Sequence, residues 1–260
     1  MAQVRVTGRR VVRSEWIKLR TLRSSWLAIG MAVAGMVGIG LLVCWSTNAR
    51  WDHMDPIERL TFDPVFRSLV GIEIAQLVIG VLGVLVITGE YGTGMIRSSL
   101  AAVPARLPVL WGKLLVYGAV VLVWAMVASF ASFYGGQALL GVHGTTIDGP
   151  GVLRAVIGAG LYLAVVALFA VGLGFVVRNT AGGIAVLFAL LLVLPGIVHA
   201  LPSSWQHHVL PYLPSQAGGS VFSLRRDADT LSPWTGFGVF VAWAAAAVAA
   251  GAAMLVRRDA

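Results

Sequence analysis

Six long apolar runs, at 26–44, 69–88, 113–134, 152–177, 181–200 and 234–256, organise the chain, and most of its charged residues are gathered into the segments between them. Each run approaches the roughly 20 residues that a helix needs to cross ~30 Å of hydrocarbon, and none has a charge near its middle. The runs are built from Leu, Val, Ala and Gly without strict alternation. They do not fit barrel strands, and in lipid every backbone group is best satisfied inside a helix. The pattern predicts six transmembrane helices. Ahead of the first run, at about 100° per residue, Val12, Trp16, Leu19 and Leu22 share one arc while Arg13, Lys18 and Arg20 lie off it. That spacing predicts a short interfacial helix. Trp16 is expected at the headgroups, and each basic residue gains about 1 kcal/mol from anionic lipid. Glu15 and Arg23 interrupt the apolar arc.

Composition excludes a soluble domain. Of 260 residues 58% are hydrophobic and 12% charged, with mean hydropathy +0.86, whereas soluble domains carry about 25% charged residues. A surface this poor in charge must face lipid. The net charge of +8 and pI of 10.5 raise nucleic acid as a partner, but that needs a basic patch on one solvated face. The basic residues sort by topology instead. Arg5, Arg9, Arg10, Arg13, Lys18, Arg20, Arg23, Arg97, Arg106, Lys113, Arg178, Arg257 and Arg258 fall on one side, 13 in all. The other side has six, Arg50, Arg59, Arg67, Arg154, Arg225 and Arg226, offset by Asp52, Asp55, Glu58, Asp63, Asp148, Asp227 and Asp229. Basic residues are retained in the cytoplasm, so both termini are expected there and no nucleic acid is expected as a partner. The single Cys44 allows no internal disulfide. Arg9 and Arg10 form a twin-arginine-like pair, but a polar stretch with Glu15 and Lys18 precedes the apolar core and no small-x-small cleavage site follows it. Leu41 to Cys44 resemble a lipoprotein box, but Val43 stands where a small residue is needed and bulky Trp45 comes next. The first span is expected to remain as an anchor.

Between spans two and three, residues 89–113 read GEYGTGMIRSSLAAVPARLPVLWGK, long for a passive turn. Gly94 is followed by Met95 and Ile96 where a phosphate loop needs Lys and Ser or Thr, so no nucleotide is expected there. Gly89, Gly92 and Gly94 are expected to turn the chain out of span two. A short helix over 96–103 then lies along the membrane until Pro104 ends it.

These residues resemble a family. The arm SEWIKLRTLRSSW at 14–26, the six spans, the 89–113 segment and LPYLPSQAGGSVF at 210–222 are similar to the membrane subunit of a type-2 ATP-binding cassette exporter, in particular the short actinobacterial permeases without a fused ATPase domain. The resemblance implies an all-α integral membrane protein with an N-terminal interfacial helix, a cytoplasmic coupling helix between spans two and three, and short external re-entrant helices before span six. One permease domain would cover 1–260: basic arm 1–24, spans one to five in 25–200, an external segment 201–233, and span six with a cytoplasmic tail in 234–260. It implies two permease copies, identical or not, with separate ATPase subunits in the cytoplasmic membrane; ATP and magnesium would sit on the ATPase and this chain would bind no cofactor. Docking would fall to Glu90, Tyr91, Gly94, Ile96, Arg97, Leu100 and Arg106. Ile96 and Leu100 would plug an apolar cleft in the ATPase between Arg97 and Arg106, while Glu90 braces the exit of span two against an arginine of the arm. Arg13, Trp16, Lys18, Leu19 and Arg20 would form the interfacial helix. The cargo would be hydrophobic or amphiphilic, such as a lipid, peptide or drug-like molecule.

Other residues bear on rival readings. Glu73, with Gln76 one turn deeper, is an intramembrane polar pair close enough to the outer interface to meet Arg67 or a headgroup, which favours a structural role over a transport role. His199, His207 and His208 are expected to face solvent rather than a metal. Gly30, Ala34 and Gly38, and Ala242, Ala246 and Ala250, recur every fourth residue and suit close helix approach, within the chain or across a dimer. An ion-coupled secondary carrier lacks the expected repeats and buried ionisable groups. A membrane enzyme lacks GxSxG, HExxH or paired intramembrane aspartates, so no catalytic residue is expected. A non-transporting sensor or immunity subunit on the same fold stays open.

Overall fold

The structure, a computed structural model, describes residues 7–225 and 230–257. Arg5, Arg226, Asp227, Asp229 and Arg258 of the charge count lie outside the described residues. The chain begins with α1 (Gly8–Thr21), the arm. Leu22 takes an extended conformation and separates it from α2 (Arg23–Ala49), the first span. The short helices α3 (Pro56–Leu60) and α4 (Pro64–Leu69) lead into α5 (Ile72–Gly92), and α4 with α5 makes span two. Then come α6 (Met95–Ala102), α7 (Leu107–Leu140) as span three and α8 (Val152–Val177) as span four. Span five is α9 (Thr180–Phe188), a π-helical turn Ala189–Val193 and α10 (Leu194–His199). After α11 (Ser203–Val209) and α12 (Pro214–Gly219), α13 (Pro233–Arg257) is span six.

Six helices are thus long and apolar enough to cross a membrane, and no strand occurs among the described residues. Most extend beyond the apolar runs at one or both ends. Span five departs from α geometry for a local reason. Pro195 has no N–H to give the Leu191 carbonyl and its ring would strike it, and widening the preceding turn to π relieves that conflict.

Span four is the centre of the bundle. In it 72% of the apolar window is buried, against 28% in spans one, five and six, and it packs against α5, α7 and α13. Its small residues permit this: a Cβ on Gly172 would lie 2.7 Å from the α13 backbone. Polar side chains inside the bundle cap carbonyls of neighbouring helices. Tyr117 donates to Ile79 O at 2.6 Å, Ser129 to Val156 O at 2.6 Å and Ser132 to Ser68 O at 2.5 Å. With no water to serve them, these groups must be satisfied within the protein.

The two small-residue stripes do not pack within the chain. Gly30, Ala34 and Gly38 are exposed, and nothing lies within 4 Å of a Cβ placed on either glycine. The inward face of α2 is Ala32, Met36, Gly40 and Cys44, the same four-residue spacing shifted by two positions. On α13 the inward face is Phe240, Ala244, Ala247 and Gly251, and Ala242, Ala246 and Ala250 point outward.

Candidate functional site

At the arm end of the bundle four charged side chains meet. Lys113, at the second turn of α7, donates to Glu15 Oε2 at 2.8 Å and to Glu90 Oε1 at 2.7 Å. Lys18 donates to Glu15 Oε1 at 2.7 Å, to Glu90 Oε1 at 2.9 Å and to Ser99 Oγ at 3.1 Å. Two carboxylates and two ammoniums make the group neutral, which is what allows Lys113 to be only 2% exposed and both glutamates 6%. The cluster joins the arm, the end of span two, the short helix α6 and the start of span three. Burial opposes the charge on Lys18, but hydrogen bonds and charges from Glu15 and Glu90 more than offset it and raise its pKa above the ordinary lysine value. It is a permanent cation at physiological pH.

The cluster decides which face of the arm turns inward. Val11, Glu15 and Leu19 are buried against α7, while Trp16, Ile17, Arg13 and Arg20 are exposed. The expected apolar arc is therefore corrected. Glu15, read from sequence as an interruption, is the centre of the buried stripe because Lys113 and Lys18 are there to meet it. The brace expected for Glu90 forms with two lysines rather than an arginine. Glu90 Oε2 is buried with no hydrogen-bond partner among the described residues.

The α6 segment is also rearranged relative to expectation. Only Gly94 takes a positive φ, +72°, whereas Gly89 and Gly92 stay helical within α5. Ile96 is 2% exposed and packs inside the chain, and Leu100 is half-buried against Val11, Val103 and Val109. Ile96 is therefore not free to plug a partner, because the apolar side of an amphipathic helix first satisfies its own bundle. The exposed face of α6 is Met95, Arg97, Ser98, Ala101 and Ala102. Arg106 does not flank a plug either; it takes φ +56° as N-cap of α7 and reaches Leu255 O at 3.2 Å. Arg178 donates to Met254 O at 2.5 Å and lies over the Tyr91 ring at 5.1 Å. Two arginines thus serve the orphan carbonyls at the end of span six.

A cavity of about 260 Å³ lies beside the cluster, between the arm and spans two and three, with Glu15, Lys18, Glu90 and Lys113 on one wall and apolar groups on the other. Leu22, Leu85 and Val86 also line a second, apolar groove of about 530 Å³ that extends along spans one and two to Phe188 of span five.

At the opposite end Glu73 accepts from Gln76, which in turn accepts from Tyr162 OH. Arg67 is not its partner; it pairs with Glu58 at 3.6 Å. Sequence reasoning singled out Glu73 and Gln76 but not Tyr162, which stands 86 residues from Gln76 on span four. His199 Nδ1 meets Pro195 O at 2.8 Å, and among the described residues no three His, Cys, Asp or Glu side chains converge as metal ligands.

No match is found among curated proteins. A family model described as ABC-2 family transporter protein matches residues 11–196. That stretch begins at Val11 of the arm, covers spans one to four and most of span five, and contains all four members of the charge cluster as well as Glu73, Gln76 and Tyr162. It is well over half of the chain, and with six apolar spans it shows that this multi-pass membrane protein belongs to the ABC-2 transporter family and is an ABC transporter permease.

Proposed function

We propose that this permease is the membrane subunit of an exporter for hydrophobic or amphiphilic molecules in the cytoplasmic membrane. It works as two copies with a separate ATPase chain, which carries the ATP and magnesium. Both termini are cytoplasmic, and the ATPase docks on the exposed face of α6. One observation carries this reading: α6 is tied through Ser99 to a buried ionic cluster spanning the arm and spans two and three, while Arg97, Ser98 and Ala101 stay exposed. A helix held that way passes a push on its outer face directly into the spans. The cavity beside the cluster and its apolar continuation support entry of an amphiphile from the leaflet at the arm end. The outward-facing Gly30, Ala34 and Gly38 support contact with a second copy.

The docking test uses surface positions, since Ile96→Ser would damage the fold itself. Arg97→Asp with Ala101→Asp should leave the permease folded and inserted but weaken co-purification of the partner ATPase by at least roughly tenfold. Undiminished co-purification would remove α6 as the docking site.

Orientation is tested with introduced cysteines, the native Cys44 being buried. Cysteines at exposed Asp55 and at Val142, which is 92% exposed, should label in intact cells, and one at exposed Ala105 only after permeabilisation. The reverse pattern would invert the topology.

A further inference from the structure

The end of the bundle away from the arm holds a cavity of about 430 Å³ that the docking reading does not use. It is bounded by spans two, four and five, by α12 and by the start of span six. Two side chains of opposite charge line it, Glu73 and Arg225. Glu73 is exposed to the cavity, and its carboxylate is held in place from behind: Gln76, 1% exposed, donates to it and is itself held by Tyr162, 2% exposed. Because Arg67 is taken by Glu58, Glu73 has no cationic partner among the described residues. Arg225 likewise meets no carboxylate among them. Ser215 also lines the cavity, and its hydroxyl is buried with no partner there.

The Glu73 carboxylate is thus fixed from behind by a buried relay and left open toward the cavity, without a cation among the described residues. It is a good receptor for a ligand cation. The remaining walls include Phe66, Leu191 and Phe222, so the same space accepts hydrocarbon. The π-helical turn and Pro195 in span five fall on this cavity as well, and they keep its wall from being a uniform α-helical surface.

We propose that this cavity binds the headgroup of a zwitterionic amphiphile, with an ammonium at Glu73 and a phosphate or carboxylate at Arg225. The inference goes beyond the docking reading and does not depend on it. Such a headgroup could belong to a resident membrane lipid or to the cargo, and the two are separable.

The test uses the intact purified permease with its ATPase, titrated with dihexanoyl phosphatidylethanolamine and, as the comparison, dihexanoyl phosphatidylglycerol, which keeps the phosphate and chains but lacks the ammonium. Wild type should prefer the ethanolamine lipid by roughly tenfold or more, as expected for one charge-assisted contact. Glu73→Gln, which keeps the shape, should abolish that preference without changing binding of the glycerol lipid. Arg225→Gln, at an exposed position, should weaken both lipids. If the headgroup is a resident lipid, mass spectrometry of the purified complex finds phosphatidylethanolamine bound to wild type and absent from Glu73→Gln; if it is cargo, the purified protein is empty and the added amphiphile stimulates ATP hydrolysis. Equal binding of the two lipids by wild type, which needs no variant, would overturn the proposal. So would a folded Glu73→Gln protein that keeps the preference. Loss of docking by the α6 variant with lipid preference intact would separate the two readings.

Discussion

Lys113→Met should cost about 3–5 kcal/mol of stability, the range for removing one partner of a buried ion pair. Its ammonium is 2% exposed and is hydrogen-bonded to Glu15 at 2.8 Å and Glu90 at 2.7 Å. After its removal Lys18 alone faces two carboxylates, and one negative charge is left uncompensated on side chains that are only 6% exposed. The arm, anchored to span three through this contact, should detach, and thermal unfolding in detergent should move to a clearly lower temperature. The double change Lys113→Met with Glu15→Gln separates charge from packing. It leaves Lys18 and Glu90 as a neutral pair at 2.9 Å, so most of the lost stability should return. If the double variant is no more stable than the single one, the cluster is held by shape rather than by charge balance. Coupling should follow the same order, because the cluster fixes α6 to the spans.

Gly71→Ala should be the second severe change. A Cβ there would lie 2.2 Å from Met36 O and 2.6 Å from Met36 Cα, and neither backbone atom can move without separating spans one and two. Overpacking of this kind costs about 1–3 kcal/mol, and more where backbone rather than a side chain is struck. Nearby, a Cβ on Gly40 would lie 2.2 Å from Ser68 O across the same contact. Gly38→Ala is the internal control: nothing lies within 4 Å of its Cβ and helix propensity favours alanine. Unfolding temperature should therefore fall for Gly71→Ala and hold or rise for Gly38→Ala. A fall with Gly38→Ala in the assembled transporter, but not in the isolated permease, would place that face at the contact between two copies.

Local chemistry in the chain was enough to foresee α6, expected at 96–103 and found at Met95–Ala102, while the short helices α11 and α12 before span six came from the family resemblance. Glu90 and Lys18 were both singled out, yet as members of separate elements. Their partners Glu15 and Lys113 left only a faint trace. Glu15 looked like a flaw in an apolar arc and Lys113 like a charge at the edge of a span, and 98 residues separate them. Two opposite charges that each spoil an apolar pattern are the signal that could have paired them.

Hydropathy alone determined the number of spans, their order and their helical nature, because lipid offers no hydrogen bonds and forces each apolar run of sufficient length to satisfy itself. Which side of each helix turns inward was decided only by tertiary structure. In these spans nearly every face is apolar, so the sequence pattern cannot tell Gly38 from Gly40 on α2 or Ala246 from Ala247 on α13. Close backbone contact at Met36 and Ser68, and the meeting of Glu15, Lys18, Glu90 and Lys113, set the rotation of each helix. Those contacts join residues far apart in the chain, and their energy exists only once the helices are packed.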